Sequence, residues 1–487
     1  MLPPNYLDGL ESSIAGLYSQ LEIEIIDAIV TRILNVGYAN TVVYNSAIIA
    51  QEAGLLYTDI IQKVAKNTDR SYEEIEKIFT DAGVKAIEND DKIYFRNGLN
   101  PIPIKQDEKL LNFILATAKK TNKNFSNLTM TTATNSQVEF INRISQQSVM
   151  VSTGVKSYAQ AIIDTIDDLS IKSPIVTYPS GHKTSIENAT RMNILTGVNQ
   201  TCGQLQLMRA EEMGCNLMEI SAHGGARPEH AEWQGKIVDR SGKNKKYLSL
   251  DDIGYGEATG FQGVNCRHTW FPYYEGDVKT YSASDLRKIN NEKVKYNGQL
   301  YSSYEASQIQ RYYERNIRND KKKMVALQSV LTSSTTDSEL VEKTKMAFSK
   351  QSLIYNQHQN QLKDFIDQVS TKNIQERMYI GKFDRSVSGQ ARAVKNIANK
   401  YNNSGIIGSK VNGIEIKEIG EHIISRTYTR DVKFEDVQDT LKNPIKYGKI
   451  RKDDSQQIKG ANCTIAINVK TGKLITVFPK KTKKKEG

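Results

Sequence analysis

Proline distribution constrains this chain more than any other feature. Eight of its ten prolines lie between Pro3 and Pro272, and none follows until Pro444. A proline inside a helix removes a backbone donor and clashes with the preceding turn, so the proline-free stretch 273–443 favours long uninterrupted helices. Within it, Ala283-Ser284-Asp285-Leu286 opens a polar helical pattern through Tyr312, Tyr313, Ile317, Met324 and Leu327 to Leu331. The run Ser333-Ser334-Thr335-Thr336 breaks that pattern and is expected to cap a second helix over 337–369. Residues 381–410, rich in Gly, Ser and Asn, are expected to form a linker. Near the N-terminus Ile14, Leu17, Leu21, Ile25, Ala28 and Arg32 recur at spacings of three and four, with Glu22, Glu24 and Asp27 between them, which predicts an amphipathic helix. Similar patterns over 106–120 and 134–170 flank a Thr/Asn/Ser-rich stretch, 121–136, expected to be a loop.

With 487 residues, the chain has room for about three domains of ~100–200 residues each. Its hydrophobic share, 38%, is below the ~45–50% of typical globular chains, which points to a polar, helix-rich protein with modest cores and excludes collagen, disorder and a small disulfide scaffold. No apolar run approaches the ~20 residues that cross a bilayer, so no membrane segment is expected. Met1 to Asp8 carries no basic segment leading into an apolar run and does not read as a secretory signal. The chain is therefore expected to start in a reducing host cytoplasm, with Cys202, Cys215, Cys266 and Cys463 as free thiols. Net charge is +11, and residues 401–487 hold 18 Lys+Arg against 10 Asp+Glu, so the last fifth of the chain favours a polyanion. The lysine-rich end, Lys480 to Lys485, is most simply a solvated tail. Before it, Thr464 to Val469 and Leu474 to Phe478 flank Lys470-Thr471-Gly472-Lys473, a strand–turn–strand signature, and a domain boundary is expected near 400–410.

Three of the six histidines, His223, His230 and His268, lie with Cys266 inside 46 residues, and both tryptophans, Trp233 and Trp270, lie in the same region, 221–276. These are the ligand types zinc prefers, and four of them make a closed tetrahedral site. The spacings, His-x6-His and Cys-x-His, differ from the usual pairs two to four apart, so two readings stand. One is a structural zinc on His223, His230, Cys266 and His268; the other is a compact turn-rich subdomain, without cofactor, whose histidines bond to backbone. No nucleophile or general-base constellation accompanies the cluster. Two blocks here, Ala226-Arg227-Pro228-Glu229-His230-Ala231-Glu232-Trp233-Gln234-Gly235-Lys236 and the run Gly254 to His268 ending Gly263-Val264-Asn265-Cys266-Arg267-His268, resemble the minor capsid proteins of tailed phages of low-GC Gram-positive bacteria, relatives of the Mu-type head morphogenesis proteins. The resemblance covers roughly 1–330. It implies a mostly helical structural head component associated with the portal, other capsid proteins and the head interior, in the virion. Mu-type relatives often carry a Cys pair where this chain has His223 and His230.

In the basic C-terminal segment His422, Arg426 and Arg430 are four apart and share a face whether the segment is helix or strand. A second helix is expected at about 433–442, stopped by Asn443-Pro444. A histidine beside two arginines suits RNA cleavage by the ribose 2′-hydroxyl: the imidazole moves a proton near neutral pH and the guanidiniums stabilise charge building on phosphorus, without metal. The plain alternative is a surface helix whose arginines pair with Glu435, Asp436 or Asp439. The pattern from His422 to Pro444, followed by Gly460 to Pro479, is similar to phage-borne nuclease domains of the barnase–EndoU–colicin–RelE-like class, which often follow head morphogenesis domains as toxins of polymorphic systems. That resemblance spans about 410–480. It implies His422 as acid/base, Arg426 and Arg430 on phosphate, Thr476 on the facing sheet, an RNA substrate and an immunity protein; Tyr428, Ser455 and Lys459 are secondary candidates.

The fold expected is a mainly α N-terminal capsid domain (1–330) containing a small turn-rich α+β subdomain, a helical connector and linker (331–409), and a small C-terminal α+β domain (410–487) with helices followed by an antiparallel sheet. The expected function is that of a structural minor capsid protein carrying a metal-independent ribonuclease-like toxin. One rival is a purely structural protein whose basic domain binds packaged DNA or the portal with steep salt dependence. Another is ADP-ribosyl transfer, for which the strands after 455 offer no convincing Glu.

Overall fold

The computed structural model describes Tyr6 and residues 10–37, 42–335 and 337–480. Long proline-free segments become long helices. Helix α1 spans Glu11–Val36 and α2 spans Val42–Arg96, ending before Pro101. Helix α3 spans Glu108–Ser152 and α4 Tyr158–Lys172, between Pro103 and Pro174. The hairpin β1 (Ile175–Thr177) and β2 (Lys183–Ser185) leads into α5 (Ile186–Glu212), whose N-cap Ser185 accepts from the Asn188 amide.

A turn-rich subdomain follows, built on a three-stranded antiparallel sheet of β3 (Leu217–Ile220), β4 (Ile237–Asp239) and β5 (Trp270–Pro272), with β3 central. The one-turn helix α6 (Pro228–Ala231) connects β3 to β4. Tyr94, Met218, Ile220, Trp233, Phe261, Cys266 and Trp270 pack as its own core. Helix α7 (Ala283–Asn291) opens with a Ser282/Asp285 capping box. The expected continuous helix from Ser282 is interrupted here by the hairpin β6 (Lys293–Tyr296) and β7 (Gln299–Ser302). Its Asn297 and Gly298 both take positive φ, as a two-residue type I′ turn requires.

Helices α8 (Ser303–Leu331) and α9 (Ser338–Val369) then pack against one another and against α4, and α8 also packs against α1. The α9 N-cap is Asp337, not the Ser/Thr run, and its carboxylate accepts from the Glu339 and Leu340 amides. The segment expected as a linker holds α10 (Arg385–Asn403), which buries Val387, Ala391, Val394 and Tyr401 at spacings of three, four and seven. The loop expected at 121–136 is helical throughout, inside α3. Tertiary partners override its poor helix propensity: the Ser136 hydroxyl donates to the Ser173 carbonyl at 2.7 Å, the Asn135 amide to the Ile175 carbonyl at 3.1 Å, and Thr132 is fully buried.

The C-terminal unit begins with the small hairpin β8 (Lys410–Val411) and β9 (Ile414–Glu415), then β10 (Glu418–Ile419), α11 (Glu421–Thr429) and α12 (Phe434–Lys442). Strands β11 (Lys446–Tyr447), β12 (Ser455–Lys459), β13 (Cys463–Asn468) and β14 (Lys473–Pro479) form an antiparallel sheet, to which β10 adds in parallel beside β14. The protein is thus mainly α with a small C-terminal α+β part. Helix α10 serves two cores: Val387 and Ala391 belong to the large helical core, and Tyr401 to the C-terminal one. Among the described residues no helix is long and apolar enough to cross a membrane.

Candidate functional site

Two of the sequence-selected clusters converge in space. In the turn-rich subdomain the ligand atoms of His230, Cys266 and His268 lie within 4.8 Å of one another, all three residues being buried. His230 comes from α6, whose Pro228 sits in the first turn. Cys266 and His268 lie on the irregular segment before β5, and their carbonyls both accept from the Asn199 side-chain amide of α5, at 2.9 and 3.2 Å. The preceding loop is tight: a Cβ on Gly263 would meet the Ala258 carbonyl oxygen at 2.4 Å, so only glycine fits. Rings wall the cluster, with His230 and His268 4.5 and 4.8 Å from Trp233 by ring centroid.

Hydrogen bonds fix which imidazole nitrogens face inward. The His230 Nε2 lies 2.7 Å from the Thr259 carbonyl oxygen, which can only accept, so that nitrogen carries the hydrogen. The His268 Nε2 lies 3.0 Å from Gln234 Oε1, an oxygen already accepting from the His223 backbone amide, so this nitrogen also donates. In the neutral rings both Nδ1 atoms are then lone pairs, and both point at the Cys266 sulfur, at 3.9 and 3.6 Å. One thiol hydrogen can satisfy only one of them. Zinc bonds of about 2.0 Å to nitrogen and 2.3 Å to sulfur at a tetrahedral angle separate N and S by about 3.6 Å, close to the spacing here. Burial, then neighbouring His223, His230 and Arg227, holds His268 well below the usual histidine range, and burial raises the Cys266 thiol. His223 stands beside this trio: its ring centroid is 4.4 Å from that of His268, and its Nδ1 is 3.0 Å from the Gly224 carbonyl. Three of the four ligands selected from sequence thus converge. Gln234, Thr259 and Asn199, which orient them, are not ligand types and gave no signal.

The second cluster lies on α11. The Arg426 Nε is 3.3 Å from His422 Nε2, and Arg430 follows at the helix end. Both arginines pair with Glu342 of α9, Arg426 closely and Arg430 at 3.8 Å. This corrects the partners expected from sequence. Glu435 pairs instead with Lys400 at 2.7 Å, Asp436 accepts from Asn462, and Asp439 accepts from Asn443. Arg430 also donates to the Val477 carbonyl at 2.7 Å and lies over the Phe478 ring at 4.4 Å. Thr476 is on the same strand, one residue before Val477 and paired with Ala466. Partial burial, then Arg426, Lys350 and Arg430, lowers the His422 pKa below the usual histidine value. Tyr428 turns the other way, its hydroxyl donating to Gln390 at 3.1 Å. Ser455 is tied into a turn by Asp453, and Lys459 is at the far end of β12, two strands from β14. Glu342 and Lys350 lie eighty and seventy-two residues before His422 in sequence, and nothing local to 421–444 points to them.

A family model described as Phage minor capsid protein 2 matches residues 2–367. Over 195 residues, 38% of this chain, the protein is 31% identical to a structural protein of Lactococcus phage LL-H, a match covering 50% of that relative. Over 87 residues, 18% of this chain, it is 34% identical to a structural protein of Lactococcus phage mv4, covering 63% of it. The chain therefore spans about half to two-thirds of the length of the curated relatives it matches. No solved structure matches. The family span includes the His/Cys cluster and ends before α10 and the C-terminal unit.

Proposed function

The chain belongs to the phage minor capsid protein 2 family, a structural component of the virion, and from that premise we propose a two-part protein. Residues 1–330 are a head component that meets the portal and other capsid proteins from the head interior, in a tailed phage of Gram-positive bacteria; the two Lactococcus phage relatives support that host range. Residues 410–487 are a metal-independent ribonuclease-like toxin domain acting on RNA in the host cytoplasm and held in check by an immunity protein. The observation that carries the second part is the pairing of Arg426 and Arg430 with a single Glu342 carboxylate beside His422. That carboxylate stands in for a phosphate between two guanidiniums.

In the proposed step His422 takes the proton of the ribose 2′-hydroxyl as that oxygen bonds to phosphorus. It returns the proton to the departing 5′-oxygen while Arg426 and Arg430 hold the phosphoryl oxygens. The products are a 2′,3′-cyclic phosphate and a 5′-hydroxyl. His422→Ala should lower RNA cleavage by ~10²–10⁴-fold with RNA affinity nearly unchanged. Arg430→Ala should weaken both, and Glu342→Ala, by freeing the guanidinium pair, should tighten RNA binding. Cleavage that survives His422→Ala, or that EDTA stops, would return the unit to the rival role of a basic module binding packaged DNA or the portal.

We also propose that His230, Cys266 and His268 hold a zinc ion. The support is the pair of Nδ1 lone pairs aimed at one sulfur, each ring set by an outer hydrogen bond as metal-bound histidines are.

A further inference from the structure

Helix α8 carries Arg311, Arg315, Arg318 and Lys322 at spacings of four, three and four, which puts them on one face. Such a stripe ordinarily faces solvent. Here it turns inward, and Arg318 and Lys322 are only 5% and 2% exposed. The face lines a cavity of about 720 Å³ between α8, the start of α5 and the loops of the turn-rich subdomain. Seven arginines and two lysines contribute to its wall, against two carboxylates, Glu187 and Glu314.

Those carboxylates are already shared. Glu187 serves Arg191 at 3.3 Å and Arg318 at 3.4 Å, and Glu314 serves Arg311 at 3.4 Å and Arg377 at 3.8 Å. Behind the wall, Glu22 serves Arg318 and Lys322 together. On the wall itself nine cationic groups stand with two carboxylates, and Glu22 lies behind them, so the lining carries an excess of positive charge. The N-terminal turn of the 27-residue helix α5 opens onto the same space through Ser185, Glu187 and Asn188, and adds the positive end of a helix dipole.

We propose that this cavity binds a phosphate-rich anion, a chain of two or more phosphate groups, independently of the C-terminal unit. Guanidinium forks match phosphate oxygens two at a time, and the side-chain amides of Asn188, Asn265 and Asn319 add neutral donors along the wall. The volume lies within the ~300–1,000 Å³ of ordinary ligand sites. Apart from histidines, Tyr304 is the sole aromatic residue on the wall, so bases find little to stack on, and recognition falls on the phosphate chain. The same chemistry is offered by free polyphosphate and by the backbone of a nucleic-acid strand.

The test uses the full-length protein and sodium tripolyphosphate, followed by calorimetry. Binding of about one tripolyphosphate per chain is expected. Arg315→Glu, at an exposed position on the rim, should weaken it by about tenfold or more, while Lys452→Glu on the C-terminal unit leaves it unchanged. As a measurement that needs no variant, tripolyphosphate should raise the melting temperature of the unaltered protein, whereas sodium chloride at equal ionic strength should not. A short single-stranded DNA that displaces tripolyphosphate identifies a nucleic-acid backbone as the source of the phosphates; failure to displace it identifies free polyphosphate. Absence of heat and of stabilisation, or equal affinity in Arg315→Glu, overturns the proposal. His422→Ala should bind tripolyphosphate as tightly as the unaltered chain, which separates this site from the ribonuclease reading.

Discussion

Gln234 sets the chemistry of a cluster it does not belong to. Its Oε1 accepts from the His223 amide and from the His268 ring, and this leaves the His268 Nδ1 as a lone pair facing Cys266. If zinc completes the trio, elemental analysis of the purified protein should find about one equivalent, lost in Cys266→Ser because the thiolate is the one anionic ligand. Gln234→Ala should weaken zinc by about 10–100-fold, the usual effect of removing an outer partner, without changing the ligands. Protein that neither carries zinc nor takes it up would leave a neutral imidazole–thiol cluster and end the metal reading. At this scale the sequence marked the ligand types and their crowding. It could not mark Asn199 or Thr259, because an ordinary amide and a backbone carbonyl acquire their roles only when the chain folds around them.

Between elements, a buried ionic lock joins α1 to α8. Glu22 is fully buried and pairs with both Arg318 and Lys322, nearly three hundred residues away in sequence. Burial pushes its carboxyl up, but Lys322 and Arg318 more than offset this and leave it below the ordinary carboxylate range. Its contribution to stability is therefore complete above the unfolded value and is lost as pH falls through the depressed folded value. Glu22→Ala removes the paired carboxylate of buried Lys322 and leaves buried Arg318 with Glu187 alone, and should cost about 3–5 kcal/mol in denaturant unfolding. Glu88→Ala, exposed on α2, should change stability by no more than about 0.5 kcal/mol, and comparable losses in the two variants would show that the buried pairing contributes nothing. The amphipathic pattern of α1 is legible, since Leu21, Ile25 and Ala28 are all buried, but by spacing alone Glu22 belongs with the polar residues between them. The same limit explains α3, where hydroxyls at 121–136 look like a loop until Ser173 and Ile175 supply their partners. The β6–β7 hairpin is different: Asn297-Gly298 is a local turn signal, and the reading of 282–331 as one continuous helix passes over it. Strands β13 and β14 and helix α12 follow their sequence signatures closely because alternation, a Thr-Gly turn and Asn443-Pro444 are all local.

At the scale of the whole molecule the issue is whether the helical body needs the C-terminal unit. The large core draws on α1 to α5 and α8 to α10, and its last buried members are Val387 and Ala391. The C-terminal core starts with Tyr401 and is built from α11, α12 and the strands, with Leu353 of α9 and Ile397 and Ala398 of α10 packed against it. Contacts across the junction include polar ones: Glu342 with Arg426 and Arg430, Gln390 with Tyr428, and Met346 with Thr429. Losing such half-exposed pairs costs far less than opening a core. The family match also ends at 367, before any of the C-terminal core residues. A stop codon after Ser404 removes the β-sheet and leaves Tyr401 without its Thr427 partner at the end of α10, where a helix frays most easily. Phage carrying that stop should therefore still assemble heads containing the shortened protein, as measured by particle counts and by the protein content of purified virions. Failure to form particles would mean that the junction with α9 and α10 carries assembly, and that the basic unit is part of the head's structure, with no separate role as cargo.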